Sequence, residues 1–281
     1  VIGPFSRRRP LPLALAYAAL LLVSLFCLLP FFWMIVTSFK TEAETFRSPP
    51  TWLPLEPTIE AYREIWTIKP FALYFWNSTV ISMAAALGST LLGALAGYGF
   101  SRFRFGGKGL LLAVFLASQM LPGVLLIGPY FQLMGQLGLY NTHAGLALGL
   151  ASICLPFCVW MSKGFVEAVP PELDEAAMVD GSSRLGAFWR VVLPIIAPGL
   201  TATLLFGFLL AWGDLLWALV LTSREEMGTV TLGVARMVGE FRIAWPMLMA
   251  GSLLGALPSV IFYVALQRFL ISGMTAGAVK Q

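Results

Sequence analysis

The sequence predicts an all-α integral membrane protein with six transmembrane helices, and three observations carry that class. Of 281 residues, 58% are hydrophobic and only 11% charged, against roughly 25% charged in soluble domains, and mean hydropathy is +0.83. Apolar stretches recur at about 13–36, 76–100, 110–133, 144–161, 195–221 and 245–271, each close to the roughly 20 residues that cross a hydrocarbon core. The segments between them are short and polar, so residues 1–281 read as one transmembrane domain. Three cysteines, all within apolar stretches, provide no disulfide framework and no metal-ligand spacing.

Arg7, Arg8 and Arg9 precede the first apolar run, Leu13 to Val36. That run is longer than the 7–15 residues of a signal-peptide core and no small-x-small site closes it, so it is expected to span, kinked at Pro30. Residues 41–70 carry Pro49, Pro50, Pro54, Pro57 and five glutamates, and form an extramembrane loop with a short surface helix at Thr58–Trp66. Trp52, Trp66 and Trp76 suit a membrane interface. The second stretch is lined with small residues, among them Ala84, Ala85, Ala86, Gly88, Gly93, Ala96, Gly97 and Gly99, which permit close helix packing where lipid offers no hydrophobic drive. Asn77 and Ser78 are placed at its start as a helix cap.

Arg102, Arg104 and Lys108 fall in a tight loop before the third stretch, which Gln119, Pro122, Pro129 and Gln132 interrupt. His143, the only histidine, has no acid or cysteine beside it in the sequence and is expected to be a solvated loop residue. Cys154 and Cys158 share a face of the fourth stretch and read as packing residues. Residues 222–244 form a second extramembrane loop with charges of both signs. Six spans put both termini on one side. That side collects 11 of the 18 Lys and Arg residues and the other side 7, so the first is expected to be cytoplasmic.

One polar stretch, Glu175 to Pro194 (EAAMVDGSSRLGAFWRVVLP), stands apart. Pro170 and Pro171 lie where a helix start tolerates proline, and Glu172, Asp174 and Glu175 complement the positive end of that helix. Leu173, Ala176 and Ala177 share a face. Gly181 supplies a left-handed stop, and Ser182 or Ser183 caps a second helix bearing Leu185, Phe188 and Val192. The physical reading is a hard-sided knuckle of two helices at the membrane surface; a solvated amphipathic loop is the plainer alternative.

The spacing resolves that choice by resemblance. Glu175-Ala176-Ala177, three residues, Gly181, nine residues, then Val191-Val192-Leu193-Pro194 resembles the EAA loop of binding-protein-dependent ABC importers, with Val191 where isoleucine is common. AGYGFSRFRFGGK, MLPGVLLIGPYFQLMGQLGLYNT, AWGDLLWALVLT and the TAGAVKQ tail look like the carbohydrate permeases, of the maltose and glycerol-3-phosphate type. Gly213 stands where that branch often carries asparagine. The resemblance implies the type I importer fold and an ATPase-coupling loop at about 170–194, with Glu175, Ala176, Ala177, Asp180, Gly181, Leu193 and Pro194 as its coupling residues. It also implies two ATPase subunits, a second permease chain, an extracellular or periplasmic binding protein and a prokaryotic plasma membrane location. ATP and magnesium would sit on the ATPase partners and no cofactor on this chain.

The residues agree with a non-catalytic subunit. No P-loop is present: near Gly107-Lys108 an arginine, Arg102, replaces the first glycine, and Gly109 replaces Ser or Thr. Asp214 lies deep in the fifth stretch, where an ionisable residue is functional by default; a partly wetted carboxylate near the outer interface is the alternative. With Trp212 and Trp217 it offers acid and indole faces suited to a sugar, while belt tryptophans are the structural reading. Gln119 and Gln132 either line a wet pathway or bridge helices. An ion-coupled secondary transporter is the competing class and requires several buried acids, of which only Asp214 qualifies. A membrane enzyme requires a clustered catalytic set that the sequence does not offer.

Overall fold

The computed structural model describes residues 10–239 and 243–278. Arg7, Arg8, Arg9, Arg242 and Lys280, counted above for topology, lie outside the described residues, as does the end of the TAGAVKQ tail. In chain order the helices are α1 (Pro10–Ser38), α2 (Glu42–Thr45), α3 (Glu60–Ile68), α4 (Phe71–Arg102), α5 (Lys108–Ser118), α6 (Gly123–Gln136), α7 (His143–Glu167), α8 (Pro171–Val179), α9 (Arg184–Ala187), α10 (Leu193–Trp212), α11 (Leu216–Leu221), α12 (Val230–Ala235) and α13 (Trp245–Ala278). A π-helical turn, Phe188–Val192, joins α9 to α10, and a 3₁₀ turn covers Glu225–Met227. Among the described residues the only β pairing is an isolated bridge between Val238 and Ile243.

Five helical segments are long and apolar enough to cross a membrane: Leu15–Ser38, Phe71–Arg102, His143–Glu167, Arg184–Trp212 and Trp245–Arg268. The third apolar stretch is different. It is two helices, α5 and α6, bent by 99°. Pro122 stands at the break, ahead of α6; it lacks an N–H and disfavours helical geometry in the residue before it. The fifth stretch also departs from a plain rod. Its helix begins at Arg184, ends at Trp212, and resumes as α11 only after Gly213–Leu215.

The chain divides into two compact units. Among the described residues the first comprises 10–69 with 237–239 and 243–254. Most of α1 presents its leucine and phenylalanine side chains outward, with Phe26 75% exposed, the surface expected of a helix facing lipid. Beyond α1 the loop is held by buried polar groups. Lys40 donates from Nζ to the Thr51 carbonyl and lies 4.7 Å from the Trp33 ring. Glu44 accepts from the Thr51 hydroxyl (2.5 Å) and the Leu55 N–H (3.1 Å). Burial pushes the Glu44 carboxyl up, but those hydrogen bonds and the nearby Lys40 charge outweigh it and hold the group below its ordinary value. Ile65, fully buried, packs beside Met237 and Gly251.

The second unit comprises, among the described residues, 70–236 with 255–278 and is built on α4, α7 and α10. The small residues expected along α4 are what let α7 approach. A Cβ added at Gly97 would stand 2.6 Å from the Lys163 nitrogen, and one at Gly93 would stand 2.7 Å from the Cys158 Cβ. Cys154 and Cys158 are buried in this packing, as read from the sequence. Two apolar clusters result. One gathers Ile81, Leu146, Leu150, Trp217, Leu221 and Leu232, and the other gathers Ala94, Tyr98, Val166, Phe188, Val192 and Ile196 at the opposite end of the same helices.

Candidate functional site

The knuckle is formed by α8, α9 and the π turn. Pro171 occupies the first position of α8. At its end Gly181 adopts φ +86°. Its N–H donates to Met178 O (3.0 Å) while the Ser182 N–H donates to Ala177 O (3.0 Å), the paired bonds of a Schellman stop. No other residue type takes that conformation cheaply, and space beside Gly181 is open for at least 4 Å. Ser183, one of the two serines expected, caps α9 by accepting from Gly186 N (3.1 Å). Leu193 N–H then donates to Phe188 O, five residues back. Pro194 explains that widening, because it supplies no N–H for Arg190 O and its ring crowds that carbonyl.

Anchoring and display are separated within the knuckle. Phe188 and Val192 are buried in the cluster at the ends of α4 and α7. Glu175, Ala176, Asp180 and Pro194 are exposed, and Ala177 and Leu193 are half-buried. Between them Val179 (87% exposed), Leu185 (56%) and Trp189 (43%) point apolar surface outward. Leu185, expected to lie with Phe188 and Val192, is therefore on the displayed side. Asp174 departs from its expected place as well. It turns inward, its carboxylate Oδ2 2.5 Å from Arg102 Nε, with side chains 5% and 10% exposed respectively. The buried anchor and the glycine stop give the stretch a defined two-helix shape.

The pathway candidates separate into two places. Gln119 donates to Ile153 O (3.1 Å), bridging the end of α5 to α7. It also borders a cleft of about 390 Å³ on the bend between α5 and α6, with Ser118, Tyr130 and Ser152 as its other polar groups. Trp217 packs edge-on to Tyr130 (4.7 Å) beside that cleft, and the Tyr130 hydroxyl is 2.5 Å from Ser152 Oγ. Asp214 accepts from Trp217 N (2.9 Å) and Ala218 N (3.4 Å), which makes it the cap of α11. Gln132 is exposed on α6. Trp212 packs elsewhere: its Nε1 donates to Gly255 O (2.9 Å), and its ring stacks on Phe208. Both indoles are buried, so neither is an open platform in this conformation.

Two expectations are corrected. Asn77 and Ser78 do not cap α4, which begins at Phe71 after Pro70. Asn77 is wholly buried and donates to Glu226 O (2.7 Å) and Gly228 O (2.9 Å), and Ser78 Oγ accepts from Val230 N. His143 is not a solvated loop residue. It is the first residue of α7, half-buried, with Nε2 2.8 Å from Asn77 Oδ1. The partners lie 66 or more residues apart in sequence, so no local spacing announced them. Arg102 was visible only as a flanking cation. Its position one turn after Tyr98, at the end of a span, was the available signal.

Comparison with known proteins identifies the family and the fold. The chain is 38% identical over 266 residues to the inner membrane ABC transporter permease protein YcjP of Escherichia coli, covering 94% of this chain and 95% of that protein. It is 35% identical to the sulfoquinovosyl glycerol transport system permease protein SmoH of Agrobacterium fabrum, over 96% of this chain and 94% of that one. It is 34% identical to the trehalose/maltose transport system permease protein MalG of Thermococcus litoralis, over 92% and 94%. Among solved structures, a bacterial ABC transporter involved in import of the acidic polysaccharide alginate aligns with TM-score 0.80 at 22% identity, covering 95% of this chain and 99% of that one; this similarity establishes the fold. Residues 89–275, from the middle of α4 to near the end of α13, match the model of the binding-protein-dependent transport system inner membrane component, and this chain belongs to that family.

Proposed function

We propose that this chain is a membrane-spanning permease subunit of an ATP-driven importer for a carbohydrate, fed by an extracellular solute-binding protein and coupled to partner ATPase subunits through the knuckle at 170–194. The observation that carries the reading is the knuckle itself. It displays an apolar rim and an unobstructed Gly181, and it is rooted by buried aromatic and aliphatic residues in the ends of α4 and α7. Glu175, Ala176, Ala177, Asp180 and Gly181 would meet the ATPase, and Leu193 and Pro194 would set the angle at which α10 leaves the knuckle. ATP and magnesium would be bound by the partners, and hydrolysis would occur there. This subunit is not an enzyme.

The carbohydrate class is supported by relatives named for sulfoquinovosyl glycerol, diacetylchitobiose and trehalose or maltose. A solved relative of the same fold is an alginate transporter in complex with an alginate-bound periplasmic protein, which supports delivery by a binding protein. We infer that a second permease, a different chain, completes the pathway, and that both termini and the knuckle face the cytoplasm, following the uneven distribution of Lys and Arg. Substrate would pass near the cleft at the α5–α6 bend, where Gln119 presents an amide and Trp217 buttresses the wall. Asp214 would fix the helix carrying Trp217, and Trp212 would support the neighbouring packing. An ion-coupled secondary transporter has no support among the relatives.

The test is substrate uptake into vesicles holding the reconstituted complex. The reading expects uptake to require ATP and liganded binding protein together. Uptake without ATPase partners would refute it.

A further inference from the structure

The strongest unexplained feature is the buried ion pair beneath the knuckle. Arg102 is the last residue of α4. Its guanidinium makes three contacts on three parts of the chain: Nε to Asp174 Oδ2 of α8 (2.5 Å), Nη2 to the Val169 carbonyl just past α7 (2.7 Å), and Nη1 to its neighbour Ser101 (3.3 Å). The planar fork of arginine allows this, and lysine has no equivalent. One helical turn earlier, the Tyr98 hydroxyl donates to the Arg184 carbonyl of α9 (3.3 Å). The Arg184 guanidinium lies 5.2 Å from the Phe103 ring centre. Asp174 Oδ1 is buried with no hydrogen bond of normal geometry among the described residues, although the Tyr98 hydroxyl lies close enough to feel its charge.

A buried ion pair is weak evidence of stability, because desolvation offsets the attraction. An unpaired carboxylate oxygen adds to that cost. The arrangement is better explained by what it connects. We propose that Arg102 is a positioning residue that locks the coupling knuckle to the ends of α4 and α7, so that a push on α8 reaches α4 directly and not only α10 through the backbone. Without the clamp, α8 itself would be joined to the bundle by its covalent linkers and, indirectly, by the α9 contacts of Tyr98 and Phe103 with Arg184 and the apolar anchor of the π turn. It would then tilt under load before α4 moved. The inference rests on the docking reading above, but it assigns transmission to residues that do not themselves face the partner.

The experiment uses the complete complex, with its ATPase subunits and binding protein, in lipid vesicles. Substrate taken up per ATP hydrolysed is measured for Arg102→Gln, Asp174→Asn, the double variant and Arg102→Lys. Each neutral single variant is expected to lower the ratio several-fold while ATP hydrolysis continues, because closure of the ATPase subunits would no longer be passed fully to α4. ATPase subunits should still co-purify in the original proportion. The double variant should be no worse than the poorer single, as for two members of one interaction, and Arg102→Lys should be intermediate. If Arg102→Gln fails to accumulate, the nearly isosteric Asp174→Asn carries the same test. An unchanged ratio in Asp174→Asn would overturn the proposal, as would additive losses, or loss of co-purifying ATPase in both single variants. Failure of the docking reading would look different: a complex with Arg102 and Asp174 intact and carrying Ala177→Cys would give no crosslink from position 177 to an ATPase subunit.

Discussion

Alanine substitution at two glycines on one helix separates close approach from mere permissiveness. At Gly97 an added Cβ would stand 2.6 Å from the Lys163 nitrogen, 2.8 Å from the Ser162 carbonyl carbon and 2.9 Å from the Ser162 Cβ. Two of those three atoms are backbone, so no rotamer change relieves the contact and α4 and α7 must move apart. Overpacking of this kind costs about 1–3 kcal/mol. At Gly99, two residues on, nothing lies within 4 Å. There alanine removes the conformational freedom of glycine and is worth about 0.5–1 kcal/mol to a helix. Gly97→Ala gains the same helix term, so it cancels, and Gly97→Ala is expected to be less stable than Gly99→Ala by the overpacking cost alone, about 1–3 kcal/mol. The assay is unfolding of the purified protein in mixed micelles, followed by helical circular dichroism as denaturing detergent increases. Equal midpoints for the two variants would refute the claim that small residues on α4 set the distance to α7.

Other consequences follow from single contacts. Gly181→Val places a β-branched side chain at φ +86°, and the expected outcome is loss of uptake with normal membrane insertion, measured by vesicle transport and fractionation; normal uptake contradicts it. Asp214→Ala removes the cap on α11 and should destabilise the protein by about 1 kcal/mol, with Asp214→Asn much milder; equal losses would argue against a capping role. His143→Leu leaves the buried Asn77 oxygen unpaired, at a cost of about 1–3 kcal/mol. Proteolysis should then become faster at 222–236, and His143→Gln should restore resistance. Glu44 is held below its ordinary value in the folded protein, so its contribution is present above the unfolded value and lost as pH falls through the lowered one. Limited proteolysis should thus find residues 40–56 protected at neutral pH and loosened only in strong acid, and Glu44→Gln should abolish that dependence.

The membrane class was legible because it rests on length and composition, which need no tertiary knowledge. The two helices of the knuckle were legible for a different reason: proline, glycine and serine act locally, and each held its expected position at Pro171, Gly181 and Ser183. What could not be read was anything set by distant partners. Asp174 was read with its neighbours as a dipole-complementing acid, whereas Arg102, 72 residues away, turns it inward. His143 looked solitary because its partner Asn77 is 66 residues away. The bend at Pro122 and the gap at Gly213–Leu215 had visible breakers, but apolar composition runs through both, and hydropathy alone does not distinguish a broken span from a straight one. The tryptophans illustrate the same limit: Trp212 and Trp217 are five residues apart, yet one stacks on Phe208 and the other meets Tyr130.

The central claim, that this subunit converts ATP hydrolysis by its partners into carbohydrate import, is tested most directly by ATPase activity of the co-purified complex in lipid. Activity would be measured with and without the binding protein, across a panel of sugars, for the unaltered chain and for Gly181→Val. The account predicts stimulation by one sugar-loaded binding protein and its loss in the variant. A complex with no associated ATPase, or one whose activity ignores both the sugar and Gly181, would contradict it.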